Sequence, residues 1–362
     1  QVLIGYSDEG KPRYKNIYGT SKSDVEQRAA MFKTEFERGI AVLDESPTFA
    51  DWSKKWLETY KKNASFNTYA MYKNIIDNHL NPTLGRLRLK SIRKHHLQEI
   101  LNNLISENKN STARQARLTL RQIFSQAQES EYIYKNPAAS IQLPKQERKR
   151  KRALTSDEVT LFTTNPDLSA DEKMFVYLIL YCGLRRGEAL ALTVNDIDMD
   201  NKKISVNKNL IFKGNDSEIK LSPKTDAGIR SVPIVNNLTD ILTEYIADKH
   251  DCIFTMKGEK TMSKSSFRKF WERIMSKTKA YAEHTKKSLG DDVTPHIFRH
   301  TYATSLYNAG IDVKTAQYLL GHSSIQVTLD IYTHLEKENI DKTQDILNNF
   351  FSQKTVEEKN QS

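Results

Sequence analysis

Residues 145–152 read KQERKRKR, six basic side chains against one acid, and a run this self-repelling cannot pack into a core. It has to be an extended linker, so the chain on either side of it must fold as separate bodies, each with its own core. At 362 residues there is enough chain for that. The excess of base continues elsewhere: the formal net charge is +10, which favours a polyanion such as nucleic acid over a small acidic substrate. An anionic membrane is the competing partner for such charge. No run of about 18 apolar residues exists, however, and the amino terminus carries no apolar signal-peptide core, so no membrane association and a cytoplasmic location are expected. Cys182 and Cys252 are the two cysteines. They form neither a disulfide framework nor a CxxC, a pattern suited to a reducing compartment and a metal-free fold.

Ahead of the linker the periodicity changes twice. Residues 1–6 and 13–18 alternate like strands around the turn Ser7-Asp8-Glu9-Gly10, which predicts a β-hairpin. Val25, Ala29, Phe32 and Phe36 then recur at helical spacing over 23–39. A new segment opens at Pro47, where Phe49, Trp52, Trp56, Leu57 and Tyr60 form an apolar stripe. Three more helices are expected over 67–81, 93–107 and 111–130, with breaks at Asn81-Pro82 and Gly85 and an end near Asn136-Pro137. On the last of them Arg114, Arg117 and Arg121 make a basic face, set opposite Leu118, Ile123 and Phe124. By itself such a face is as readily solvated as bound to a ligand.

Beyond the linker, Ser156 is placed to cap a helix, and 174–182 is an apolar helical run interrupted at Gly183 and followed by GLRRGEALAL. Arg186 in that stretch is read as solvated or facing DNA. Between 197 and 235 alternation replaces the helical period: strands are expected at 203–206, 219–222 and 229–234, the last two joined as a hairpin by the turn at 225–228, with Lys224 near its tip. A helix over 264–280 and a polar loop at 285–292 lead to TPHIFRHTYATSLYNAGIDVKTAQYLLGHSSIQVTLDIYTH. There Thr294 and Pro295 start a helix that carries His296, Arg299 and His300 on one face. A second helix begins near Val313 and stops at Gly321, leaving His322 at the turn, and Ser324 caps a third that carries Tyr332. His296 and His300 have the i, i+4 spacing of a zinc pair, but Arg299 lies between them and no acidic ligand is near. A last amphipathic helix is expected at 341–351.

The H-x-x-R of this stretch, the following Gly-His and a tyrosine ten positions later resemble the carboxy-terminal signature of the tyrosine recombinases, the phage integrase family. GLRRGE resembles the family's G-L-R-x-x-E box, and Lys224 stands where the family has its lysine. The resemblance implies a mainly α fold with small antiparallel β-sheets. It divides the chain into an arm-binding-like domain at 1–46, a four-helix core-binding bundle at 47–144, the linker at 145–152, a mixed α+β catalytic domain at 153–350 and a polar tail at 351–362. Lacking an initiating methionine, the first domain is expected to miss a strand, and its bland reading is an oligomerisation appendage.

The chemistry implied is site-specific DNA cleavage and rejoining through a 3′-phosphotyrosine, for integration or excision of a mobile element, without ATP, magnesium or any other cofactor. Arg185, Arg299 and His322 would hold the phosphate, since guanidinium forks stay charged and bind it in bidentate fashion. Tyr332 would be the nucleophile, His296 its proton acceptor and Lys224 the general acid, with Glu188 and His300 in support. Arg114, Arg117, Arg121, Lys149, Arg150 and Lys151 would contact the DNA backbone. Expected partners are double-stranded attachment sites, three further copies of the chain, and an accessory excision factor or host DNA-bending protein. Competing readings are resolution of chromosome dimers, a type IB topoisomerase-like strand transferase, and a regulator that binds DNA without chemistry.

Overall fold

The computed structural model describes residues 1–6, 11–37, 46–144, 152–221, 228–256 and 260–338. The chain divides into two compact units, Gln1–Glu147 and Arg148–Ser362. In the first, β1 (Val2–Tyr6) pairs antiparallel with β2 (Pro12–Lys15), so the second strand stops three residues short of the expected 18. Helix α1 (Lys22–Glu37) follows, its start fixed by Asp24, which accepts from the Thr20 amide at 3.0 Å and from Arg28 at 2.7 Å.

The rest of this unit is a helical bundle: α2 (Phe49–Tyr60), α3 (Phe66–Ile75), α4 (Asn81–Leu84), α5 (Lys94–Ser106) and α6 (Asn110–Glu129). Phe49, Trp52, Trp56 and Leu57 of the predicted stripe are buried, and Trp52 donates from Nε1 to the Ile123 carbonyl at 3.1 Å. Each such side chain contributes roughly 1.5–3 kcal/mol. Tyr60, the last member of the stripe, is exposed. No break occurs at Asn81-Pro82. A π-turn over Ile76–Leu80 joins α3 to α4, and the Asn81 amide reaches Ile76. Pro82 falls in the first turn of α4, where its missing N–H costs nothing.

On α6 Arg114 and Arg121 are exposed, but Leu118 does not oppose them. It is 51% exposed and lies between Arg114 and Arg121, because positions four before and three after share its face. Arg117 is half-buried and donates to the Ile141 carbonyl at 3.2 Å.

The second unit starts with α7 (Ser156–Thr164), capped by Thr155 rather than Ser156: its hydroxyl accepts from the Glu158 amide, and the Glu158 carboxylate returns to the Thr155 amide. Arg152, the last linker residue, is drawn into this body by Glu158 (2.5 Å) and Asp292 (2.7 Å). Helix α8 (Ala170–Tyr181) is buried from Met174 to Leu180, as an all-round apolar helix must be. Phe175 meets the rings of Phe254, Phe267, Phe270 and Trp271 edge-on.

After α9 (Arg186–Leu190) come β3 (Ile197–Asp198), β4 (Lys203–Val206), β5 (Asn209–Lys213), β6 (Asp216–Lys220) and β7 (Arg230–Pro233). The expected pairing is corrected here. β6 forms a hairpin with β5, while β7 adds to β4 in the sheet β3-β4-β7. Among the described residues four helices follow α10 (Asn236–Ile246): α11 (Lys264–Thr285), five residues longer than expected, α12 (Pro295–Asn308), α13 (Val313–Leu320) and α14 (Ile325–Glu338). The helix expected at 341–351 lies outside the described residues. No helix among the described residues is long and apolar enough to cross a membrane.

Candidate active site

Helix α8 ends at Tyr181, and Gly183, with φ +61°, turns the chain so that its carbonyl faces α12. Glycine is required there: a Cβ would run into the ring of Tyr302 as well as into the left-handed region. The turn delivers Arg185 to the N-cap of α9. The Glu188 carboxylate accepts from the Arg185 amide at 2.8 Å and from its guanidinium at 2.6 Å. Backbone and side chain of one arginine are thus fixed by one acid.

The remaining geometry is organised by α13. Its Asp312 cap accepts from the amides of Lys314 and Thr315 at 2.9 and 3.0 Å, and Gly321 ends it with φ +59°. The last carbonyls of a helix lack intrahelical partners and carry the negative end of its dipole. Here three arginines from three elements satisfy three successive ones. Arg230 of β7 donates to Leu319 at 2.7 Å, Arg299 of α12 to Leu320, and Arg185 to Gly321 at 2.6 Å. Arg299 also donates to the Gly183 carbonyl at 2.6 Å, and Arg230 donates to both oxygens of Glu188 at 3.1 and 2.7 Å.

Three guanidinium cations therefore surround one carboxylate at the end of a helix. Burial alone would raise the Glu188 carboxyl, but hydrogen bonding and charge from Arg230, with Arg185 beside it, hold it at about 2. Arg299 is buried, and burial together with the Arg185 and Arg230 charges brings its guanidinium down to about 9, still cationic at neutral pH. His322 is half-buried. Burial first, then the charges of Arg299, Arg185, Arg230 and His296, take its imidazole down to about 3, so it is neutral. Its Nδ1 lies 2.9 Å from the Thr328 hydroxyl on α14. In the tautomer where Nδ1 accepts, Nε2 is left with a proton to donate.

Arg185, Glu188, Arg299 and His322 are thus brought together, and His296, exposed at the start of α12, is close enough to act on His322. His300, one turn further along α12, is half-buried. Tyr332 is placed elsewhere. It is buried with Tyr302, Leu306, Ala316 and Leu320, meets the ring of Tyr307 edge-on at 5.1 Å, and donates to the Ile311 carbonyl at 3.0 Å. Ile311 precedes α13 and the three arginines follow it, and eight residues of helix separate the two ends by about 12 Å. Burial and the nearby Asp312 carboxylate push the Tyr332 phenol up, so in this position it is a protonated, weak nucleophile.

Lys224, Lys149, Arg150 and Lys151 lie outside the described residues. Arg186 is exposed, and its guanidinium lies over the rings of Phe212 and Phe267 at 5.1 and 5.2 Å, a stacked surface cation rather than a freely solvated one. Arg230 escaped the sequence reading, although a signal was there. In IRSVPI it alternates with Val232 and Ile234, and strand alternation puts all three on the inward face. A charge at an inward position demands a buried partner.

The model of the phage integrase family matches residues 152–339, and that of the phage integrase N-terminal SAM-like domain matches 48–105. A tyrosine recombinase XerC-like protein of Caldanaerobacter subterraneus subsp. tengcongensis is 27% identical over 97% of this chain and 95% of its own. The ICEBs1 integrase of Bacillus subtilis is 26% identical over 92% and 93%. Among solved structures, the Tn1549 transposon integrase in complex with transposon right end DNA superposes with a TM-score of 0.71 at 22% identity, covering 83% of this chain and 99% of that one. A lambda integrase tetramer bound to a Holliday junction gives 0.61 at 20%, covering 90% of each. At these identities the structures show a shared fold.

Proposed function

Because the chain belongs to the phage integrase family, we propose that it is a site-specific tyrosine recombinase that integrates and excises a mobile element, a reading supported by its likeness to a relative named an integrase. One observation carries the mechanism: Arg185 and Arg299 converge on adjacent carbonyls beside His322. A phosphodiester carries one negative charge, and the five-coordinate transition state of its displacement carries two. Three arginines against one carboxylate leave the cluster with two positive charges in excess, so it favours the transition state over the bound ground state.

In the cleavage step the Tyr332 oxygen attacks phosphorus, a P–O bond to tyrosine forms, and the bond from phosphorus to the 5′ oxygen breaks. His296 takes the phenol proton and Lys224 supplies one to the departing oxygen. The phosphotyrosyl ester keeps the bond energy, so a 5′ hydroxyl from another strand reverses the step and releases the enzyme. Four copies would hold two duplexes, each attachment site contacted by both units, with the α6 arginines neutralising backbone phosphates.

Attack requires Tyr332 to leave its place. Thr328 and Tyr332 are one turn apart on the buried face of α14, and Thr328 now occupies the position beside His322. Sliding α14 by one turn, about 5.4 Å, toward its own N-terminus would bring Tyr332 to the position that Thr328 now holds. The test is a duplex attachment site nicked just beyond the scissile phosphate, followed by a pair of intact sites. A denaturant-resistant adduct and then recombinants are expected. Adduct without recombinants would instead favour a topoisomerase-like strand transferase, and neither product, with DNA still bound, a non-catalytic regulator.

A further inference from the structure

The side chain of Arg230 is 0% exposed, and four hydrogen bonds engage all three of its nitrogens: Nε to Leu319, Nη1 to the carbonyl of Gly228 at 3.2 Å and to Glu188, and Nη2 to Glu188. Arg185, by contrast, keeps 39% of its side chain open. Arg185 has a surface to offer a phosphate, whereas Arg230 has none. We propose that Arg230 is a positioning residue for strand cleavage, which orients Glu188 and the last turn of α13 so that Arg185 is held ready for the phosphate. The inference rests on the recombinase reading above.

The geometry sets out the route. Glu188 has two oxygens and two tasks, Oε1 for the Arg185 guanidinium and Oε2 for the Arg185 amide. A carboxylate free to rotate about its last bond would satisfy them only part of the time. Arg230 grips both oxygens at once, a planar fork that fixes the carboxylate plane, which a lysine cannot do. Through Leu319 the same guanidinium holds the neighbour of the carbonyls that Arg299 and Arg185 use. Its strand, β7, begins six residues after Lys224 in the sequence. A purely structural buried ion pair would change stability alone.

Two variants separate these roles. Arg230→Lys keeps the charge and loses the fork. The pair Arg230→Met with Glu188→Met removes the two charges of this ion pair together, so neither of them is left buried without the other. At saturating nicked DNA, Arg230→Lys is expected to form adduct at least about 10-fold more slowly, and the methionine pair about 100-fold, in line with loss of one oriented donor, while DNA affinity stays within about 2-fold. The acid limb of the Arg230→Lys rate profile should also move up toward the ordinary carboxylate range, because Glu188 then takes up a proton more readily.

Independently of DNA and of catalysis, hindered rotation of the Arg185 guanidinium, read by side-chain nitrogen NMR of the free protein, should be lost in Arg230→Lys. A variant with a lowered melting temperature but wild-type adduct rate, pH profile and Arg185 rotation would overturn the proposal, as would a folded methionine pair that cleaves at the wild-type rate. If the wild type forms no adduct, the recombinase reading fails instead, and the NMR measurement still decides whether Arg230 holds Arg185.

Discussion

Replacing Glu188 by Gln keeps the shape of the side chain and removes its charge. The cost can be worked out in two ways. A carboxyl held at about 2 in the folded chain against an ordinary 4.5 contributes about 3 kcal/mol at neutral pH. Leaving Arg230, with a fully buried side chain, without its anion costs about 3–5 kcal/mol. The two agree near 3 kcal/mol, which lowers the melting temperature of a unit this size by about 6–12 °C. The sign with pH follows from the direction of the shift. The folded pKa lies below the unfolded one, so the stabilisation is present above about pH 4.5 and drains away as pH falls toward 2. The assay is urea unfolding of wild type and Glu188→Gln across that range. Their separation should be near 3 kcal/mol at neutral pH and shrink by about 2 kcal/mol by pH 3. A separation below about 1 kcal/mol at neutral pH, or one that does not narrow in acid, would refute the buried-pair reasoning.

Three other outcomes are expected. Lys224→Ala should lose strand cleavage and regain it on a substrate whose bridging 5′ oxygen is replaced by sulfur, a leaving group that needs no proton; failure of that rescue would remove Lys224 from the role of general acid. His322 is held below its ordinary 6.5, so as pH falls below about 6.5 the unfolded chain takes up a proton that the folded one refuses, and stability is lost. His322→Asn should flatten that acid slope by up to about 1.4 kcal/mol per pH unit, measured by unfolding between pH 4 and 6.5; an unchanged slope would show the ring is not kept neutral. Arg114→Ala with Arg121→Ala should weaken binding to all duplexes alike and make the plot of log affinity against log salt shallower by about 2; an unchanged slope would take α6 off the phosphate backbone.

What the sequence made legible was local. The stop of α13 at Gly321 and the start of α12 at Pro295 are written in adjacent residues, because a left-handed stop and a proline in the first turn act locally, although the Thr294 side chain makes no capping hydrogen bond. Pairing of β6 with β5 rather than β7 was not legible, since alternation gives the face of a strand but not its neighbour. At Pro82 a break was expected because a proline after a helical run usually ends it, and a π-turn absorbed it instead. Leu118 went to the wrong face in a reading that grouped residues by type, where helical spacing places it among the arginines. The arginine cluster was half visible. Arg185 and Arg299 stood in motifs, but Arg230 and the shared carbonyls of α13 appear only when three distant elements meet. The position of Tyr332 depends on how α14 lies against α13, a matter of packing that no spacing in the chain encodes.

For cleavage, a tyrosine now lodged about one helix length from the arginines must join them. The most direct measurement is to trap the chain on nicked attachment-site DNA, digest the adduct and identify the residue joined to the 3′ phosphate by mass spectrometry, with Tyr332→Phe alongside. The account predicts phosphate on Tyr332 alone and no adduct from the variant, which still binds DNA. Attachment at any other residue, or an undiminished adduct from Tyr332→Phe, would contradict it.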